Sequence, residues 1–446
     1  MKIGLYLQNK NVPNADLSKP EEGNPGVGGT QFNFVAFPYY FTKEFSNKEI
    51  QFVIYANYTQ FLPKNIQSYP VNNCTEALIK SSEDNCNIFI FRIDGYVDLD
   101  EMLIRINDLK MKTIIWAHND LNVDALNKIE VCNYIKRIVC VGQEQLDRIR
   151  DHPVFYKSTC IFNGFDSSNY IPSETCSKQK NTVVYLGNLI PAKGFHHLAR
   201  IWPTLKKEKQ DIKLIVIGSG TLYNENAKLG KWGIAEENYE ANYIRPYLSN
   251  EDGLPDSSVY FAGLLGKEKI SILQQAKVGV VNPYGATEIC PGSAIEIQAA
   301  GTPVVSGAYK GLLDTVVHRK TGLLGKTDND LIENILYLLN NPQVADKYGK
   351  NGIEFVKEKF AYSKICHQWL QVFEDINNNR SNPVNIVSQN WFYNRKYAKE
   401  LLRIIKLKVP FCRDIPPLIY FNNSFKQLAK YIYDQKIKTQ IRSIYK

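Results

Sequence analysis

The sequence predicts an α/β protein built from two doubly wound parallel sheets. Three observations carry that class. Short β-branched runs alternate with stretches whose apolar residues recur every three and four positions. The alternation comes in two series, separated by the polar, aperiodic stretch SETCSKQKN, residues 173–181. The chain is 446 residues long, enough for two domains or more.

In the first series the strands are KIGLYLQ, QFVIYAN, CNIFIFRID, KTIIWAH, RIVCVG and STCIFNG. In the second they are NTVVYLGN, IKLIVIGSG, SVYFAG, VGVVNP and TPVVSG. Between them, stretches such as KEKISILQQA and SAIEIQAA have helical spacing. Apolar strands alternating with helices imply sheets covered on both faces. In such sheets ligands sit at the carboxyl ends of the strands, so the residues after each strand are the informative ones.

Composition narrows the function. The apolar fraction of 44% is that of a globular protein. Nine scattered cysteines with no C-x-x-C predict reduced thiols in a cytoplasmic setting, with neither a disulfide framework nor a zinc site. MKIGLYLQNK reads as a first strand and not as a signal peptide, and no run of eighteen apolar residues occurs. The net charge of +9 lies in the last 56 residues: from Trp391 onward there are thirteen Lys or Arg against three Asp or Glu. A basic appendage on a near-neutral body argues against a nucleic-acid binder.

Four stretches carry chemistry. GNLIPAKGFHHLA places Lys193 and Gly194 before a helix, an arrangement suited to a diphosphate. IGSGT offers Gly218 and Gly220 for a tight turn, but Tyr223 stands where a dinucleotide fingerprint needs a small residue, which counts against a dehydrogenase. TEICPGSAIE sets Glu288 before a helix and Glu296 on its first turn. Its amides at Gly292, Ser293 and Ala294 are placed to hold phosphate, and its carboxylates suit hydroxyl-rich ligands. Ser293 and Glu296 also have the spacing of a capping box. GTPVV, from Gly301, then opens a further strand.

As an ensemble over about Thr182 to Ile376, these motifs resemble the C-terminal domain of GT-B glycosyltransferases, in particular the retaining, nucleotide-sugar-dependent enzymes of glycosyltransferase family 4. The resemblance implies two Rossmann-like domains facing across a cleft. It implies a nucleotide-sugar donor, with UDP favoured over GDP, a glycan or lipid-linked acceptor, and no cofactor or metal. By the resemblance Glu288 holds the donor sugar, Glu296 the ribose and Lys193 the diphosphate, while Ile289, Cys290 and Pro291 belong to the donor loop. Leu265 lies where the family's backbone meets the nucleobase. The family often has Arg after the glycine of the first strand; here it is Asn188, which supplies no charge.

In the first domain Gly28, Gly29 and Thr30 resemble the family's glycine loop near donor phosphate and acceptor. His118 ends the strand IIWAH. In the family a histidine near this place touches the donor sugar; the other reading is a satisfied histidine beside the core. Asp98-Leu99-Asp100 matches a metal-binding D-x-D, yet a helical run follows, so the acids read as a helix cap.

The expected organisation is an acceptor domain over residues 1–172, a donor domain over 173–359, a helix over 360–380 crossing back to the first domain, and a basic amphipathic extension over 381–446. The extension either lies on an anionic membrane on the inner face of the cell or packs on the first domain with its charges in water. The functional expectation is hexose transfer in bacterial cell-surface polysaccharide synthesis. An epimerase or a non-catalytic sugar-nucleotide-binding subunit on the same scaffold are the rivals. The segment from Leu222 to Asp256, long for this fold, has no assigned role.

Overall fold

The computed structural model describes residues 1–446 except 174–175, 222–227, 284–286 and most of 383–446, where only residues 401, 405, 408, 409 and 419 are described. The strands are β1 (Lys2–Leu7), β2 (Gln51–Ala56), β3 (Gln67–Pro70), β4 (Ile88–Phe91), β5 (Thr113–Ala117), β6 (Ile135–Cys140), β7 (Ser158–Cys160), β8 (Thr182–Leu186), β9 (Lys213–Ile217), β10 (Val259–Gly263), β11 (Val278–Val281), β12 (Val304–Gly307) and β13 (Gly322–Gly325).

They form two sheets, ordered β3-β2-β1-β4-β5-β6-β7 and β10-β9-β8-β11-β12-β13. Every strand pairing is parallel. The central strands are buried on both faces, which is why IFIF and VGVV read as unbroken apolar runs. Strand order reverses between β1 and β4 and again between β8 and β11, and each reversal opens a crevice at the carboxyl ends. The Lys193 and Glu288 motifs of the second half follow β8 and β11, on the two sides of its reversal, and the glycine turn at Gly218 follows β9.

Two strands lie outside the sequence-level set. β3 is a four-residue edge strand, QSYP, with no buried side chain. β13, GLLG, is bounded by glycine at both ends and too short to show a period. Asp98 does cap its helix, accepting from the amides of Asp100 and Glu101 at 3.0 and 3.1 Å.

The second domain ends in the helix Pro342–Phe360, and the helix Tyr362–Asn377 returns to the first domain. There Trp369 packs on Phe37 with ring centroids 4.8 Å apart, and Tyr362 stacks on Tyr40 at 3.8 Å. The domains also meet beside the cleft. The Glu144 amide donates to Asp314 Oδ2 at 2.9 Å, and Asp120 pairs with both Arg148 and Lys310. The face formed by Tyr397, Leu401, Ile404 and Ile405 lies largely outside the described residues. Ile419, which is described, is buried within the core of the first domain.

Candidate active site

Between the two sheets runs a cleft of about 380 Å3, lined from both domains. Glu288, which follows β11, is 9% exposed, and its Oε1 is held from two sides. Lys193 Nζ lies 2.6 Å away and Asn282 Nδ2 2.9 Å. Asn282 directly follows β11 with φ 38°, a left-handed conformation that Asn tolerates better than most residues, and its amide reaches Glu288. Lys193 closes a single turn, Pro191–Lys193, after which Gly194 at φ 68° leads into the helix Phe195–Glu208. The turn is tied down: Tyr185 OH donates to the Lys193 carbonyl at 2.9 Å and Thr287 Oγ1 to the Ala192 carbonyl at 3.1 Å.

One turn into the helix Gly292–Ala299, Glu296 accepts from Lys269 Nζ at 2.7 Å and from Tyr170 OH at 3.0 Å. The expected capping box is absent. Pro291 is the N-cap, so Ser293 sits inside the first turn and cannot cap it. The Ala294 amide is also spent, donating to the Pro291 carbonyl at 3.1 Å. Gly292 and Ser293 begin the helix, and their amides have no partner within it.

Glu288, Lys193, His118, Glu296, Gly292, Ser293, Ile289, Cys290, Asn188, Gly218, Leu265, Gly29 and Thr30 all line the cleft. Pro291 and Gly28 do not. Each is the buried residue immediately before a helix, shaping its start from behind, Gly28 for Gly29–Glu44 and Pro291 for Gly292–Ala299. Gly218 has φ 145°, and a Cβ there would lie 1.9 Å from the Gly187 carbonyl oxygen, so only glycine lets the two loops close up. Asn188 is buried beside them, with both side-chain polar atoms unpartnered among the described residues.

Lys269, Tyr170 and Asn282 escape sequence reading because only the fold brings them to the carboxylates. Among the described residues lining the cleft the cations are Lys193 and Lys269, against Glu21, Glu22, Asp166, Glu288 and Glu296. Such a cleft has no net positive field. The groups there that favour an anion are the two ammonium groups and the helix-start amides, all acting at short range. No group of three His, Cys, Asp or Glu residues is placed to hold a metal among the described residues.

His118 lies against Trp116 and Phe34, with ring centroids 4.8 and 5.6 Å away. Its Nε2 has no hydrogen-bond partner among the described residues. Burial, helped by Arg92, pushes its pKa down to about 3, so it is a neutral imidazole at physiological pH. The folded-state pKa lies below the ordinary 6.5, so the unfolded chain binds the extra proton between those values. Stability contributed by the neutral ring is therefore complete above pH 6.5 and lost as pH falls towards 3. Denaturation midpoints should decline more steeply between pH 6.5 and 4 in the wild type than in His118→Phe; parallel profiles would refute it.

Two facing doubly wound sheets, with the polar cleft at both strand-order reversals, are the GT-B glycosyltransferase architecture. Residues 166–355 match the family model for glycosyl transferases group 1, so the family likeness is carried by the second domain. An uncharacterized glycosyltransferase of Haemophilus influenzae is 25% identical over 287 residues, 62% of this chain and 73% of that one. The capsular polysaccharide biosynthesis glycosyltransferase CapM of Staphylococcus aureus is 26% identical over 224 residues, 47% of this chain and 53% of that one. Among solved structures, Anabaena HepE in complex with UDP-glucose superposes with a TM-score of 0.61 at 15% identity, covering 84% of this chain and all of HepE.

Proposed function

We propose that the protein is a retaining, metal-independent glycosyltransferase that moves a hexose from a UDP-sugar to a glycan or lipid-linked acceptor in bacterial cell-surface polysaccharide synthesis. The observation that carries this reading is the Lys193–Glu288 pair, 2.6 Å apart at the strand-order reversal of the second sheet and beside a helix start. The likeness to CapM, a capsular polysaccharide biosynthesis glycosyltransferase, supports the setting, and that to HepE, solved with UDP-glucose, supports the base.

In this reading the diphosphate enters between Lys193 and the amides of Gly292 and Ser293, which stabilise the charge that develops as it leaves. Glu288 accepts from sugar hydroxyls and Glu296 from ribose. A donor phosphate oxygen takes the proton of the incoming hydroxyl, so no protein nucleophile is required. Closure of the cleft limits hydrolysis. Lys269 supplies the second cation that Asn188 does not. Lys269→Met should lower kcat/KM about tenfold, with part of the loss in kcat, measured as KM against kcat.

A thermal-shift screen against a panel of nucleotide sugars tests the reading. Ligand at 100 times its Kd adds about 2.7 kcal/mol, a plain upward shift. No shift with any member would overturn it. Asn188 favours one other reading, a binding subunit without turnover, which would shift with a donor yet release no nucleotide with any acceptor.

A further inference from the structure

We propose that the segment following β9 is a clamp that fixes the two loops on the phosphate side of the cleft, with Tyr239 as a positioning residue for Lys193. The proposal rests on the reading of Lys193 as the diphosphate cation. The described part of the segment is cross-linked by its own hydrogen bonds. Glu240, fully buried, accepts from the Trp232 amide at 2.8 Å and the Ile234 amide at 3.3 Å. Glu236 caps the turn carrying Tyr239, and Trp232 Nε1 donates to the Gly253 carbonyl at 3.0 Å. These bonds tie the described part together, and Ala235, Tyr239, Ile244 and Leu248 anchor it in the core of the second domain.

It touches both loops. Tyr239 OH accepts from the His196 amide at 3.2 Å and meets His196 Nδ1 at 2.9 Å. The amide occupies one lone pair of the hydroxyl, and the hydroxyl and Nδ1 share a second hydrogen bond whose direction follows the imidazole tautomer. His196 stands three residues after Lys193, and its amide belongs to the first turn of the helix that the lysine precedes. That amide is therefore satisfied by Tyr239 and withdrawn from any ligand; what the clamp provides is the angle of the Lys193 turn. At the other loop the Gly220 amide donates to the Ile234 carbonyl at 2.8 Å, and a Cβ on Gly220 would lie 2.8 Å from Ala235 Cα. The loops are hooked to each other through the Leu189 amide and the Ser219 carbonyl at 3.2 Å. One inserted segment thus holds Gly218 and Lys193 in fixed relation.

Tyr239→Phe keeps the ring and removes the hydroxyl. With UDP as probe in titration calorimetry on the full chain, its affinity should fall about five- to tenfold while uridine binds as in the wild type, because Lys193 acts on the diphosphate alone. A merely structural loss would weaken both. His196→Ala retains the amide contact and should lose less than Tyr239→Phe. Nitrogen NMR should show one dominant His196 tautomer in the wild type and a mixture in Tyr239→Phe. Equal UDP affinities in wild type and Tyr239→Phe would overturn the clamp. A wild type that binds neither UDP nor GDP would instead overturn the reading of the site, and the clamp with it, and the wild-type titration alone identifies that case.

Discussion

Glu288→Gln will leave the fold intact and lower turnover by about 10²–10³-fold, the scale of losing one preorganised charged contact in a transition state, roughly 2.7–4 kcal/mol. The substitution conserves volume and keeps one acceptor oxygen, so packing around the buried side chain barely changes. What disappears is the charge opposite Lys193, 2.6 Å away, while the remaining oxygen can still accept from Asn282 Nδ2. In the proposed mechanism the carboxylate does two things: it accepts from the sugar and it aims the ammonium at the diphosphate. A double-mutant cycle separates them. If Glu288 acts partly through the lysine, Glu288→Gln combined with Lys193→Met will cost much less than the sum of the single changes. Transfer at the wild-type rate by Glu288→Gln would remove the residue from the mechanism.

Trp369→Ala will destabilise the protein by about 3–5 kcal/mol, the usual cost of emptying a buried indole site. Trp369 is fully buried, and its ring meets Phe37 at 4.8 Å, Trp116 at 5.1 Å and Phe373 at 5.5 Å. Those neighbours come from the first helix, from β5 and from its own helix, so the cavity would open in the middle of an aromatic cluster that cannot collapse without moving β5. His118 packs against Trp116 with ring centroids 4.8 Å apart, so the effect should extend to the cleft. A chemical denaturation midpoint equal to the wild type would show that this helix is not part of the first domain's core.

The sheets were largely legible because parallel strands covered on both faces must be apolar along their whole length, and eleven such runs stand out between helical stretches. β3 and β13 were not, since an exposed edge and a four-residue strand between glycines leave no pattern. Glu288, Glu296 and Lys193 were legible from their order along the chain after strands β8 and β11. Lys269 was hidden in KEKISILQQA, where a lysine at helical spacing looks like any solvated side chain; only the fold buries it against Glu296. The misread capping box has a local cause. Proline ends the loop one residue before Gly292, which moves the helix start upstream of Ser293.

The return of the helix Tyr362–Asn377 to the first helix Gly29–Glu44 has a consequence for biogenesis. A ribosome delivers the amino-terminal half first, yet Trp369 and Phe373, which complete its aromatic cluster, emerge only after the whole second sheet has been made. Until then Phe37 and Phe41 must wait with an apolar flank uncovered. The nascent chain passes through an interval in which its earliest part is its least finished, and a chaperone would find its handle there.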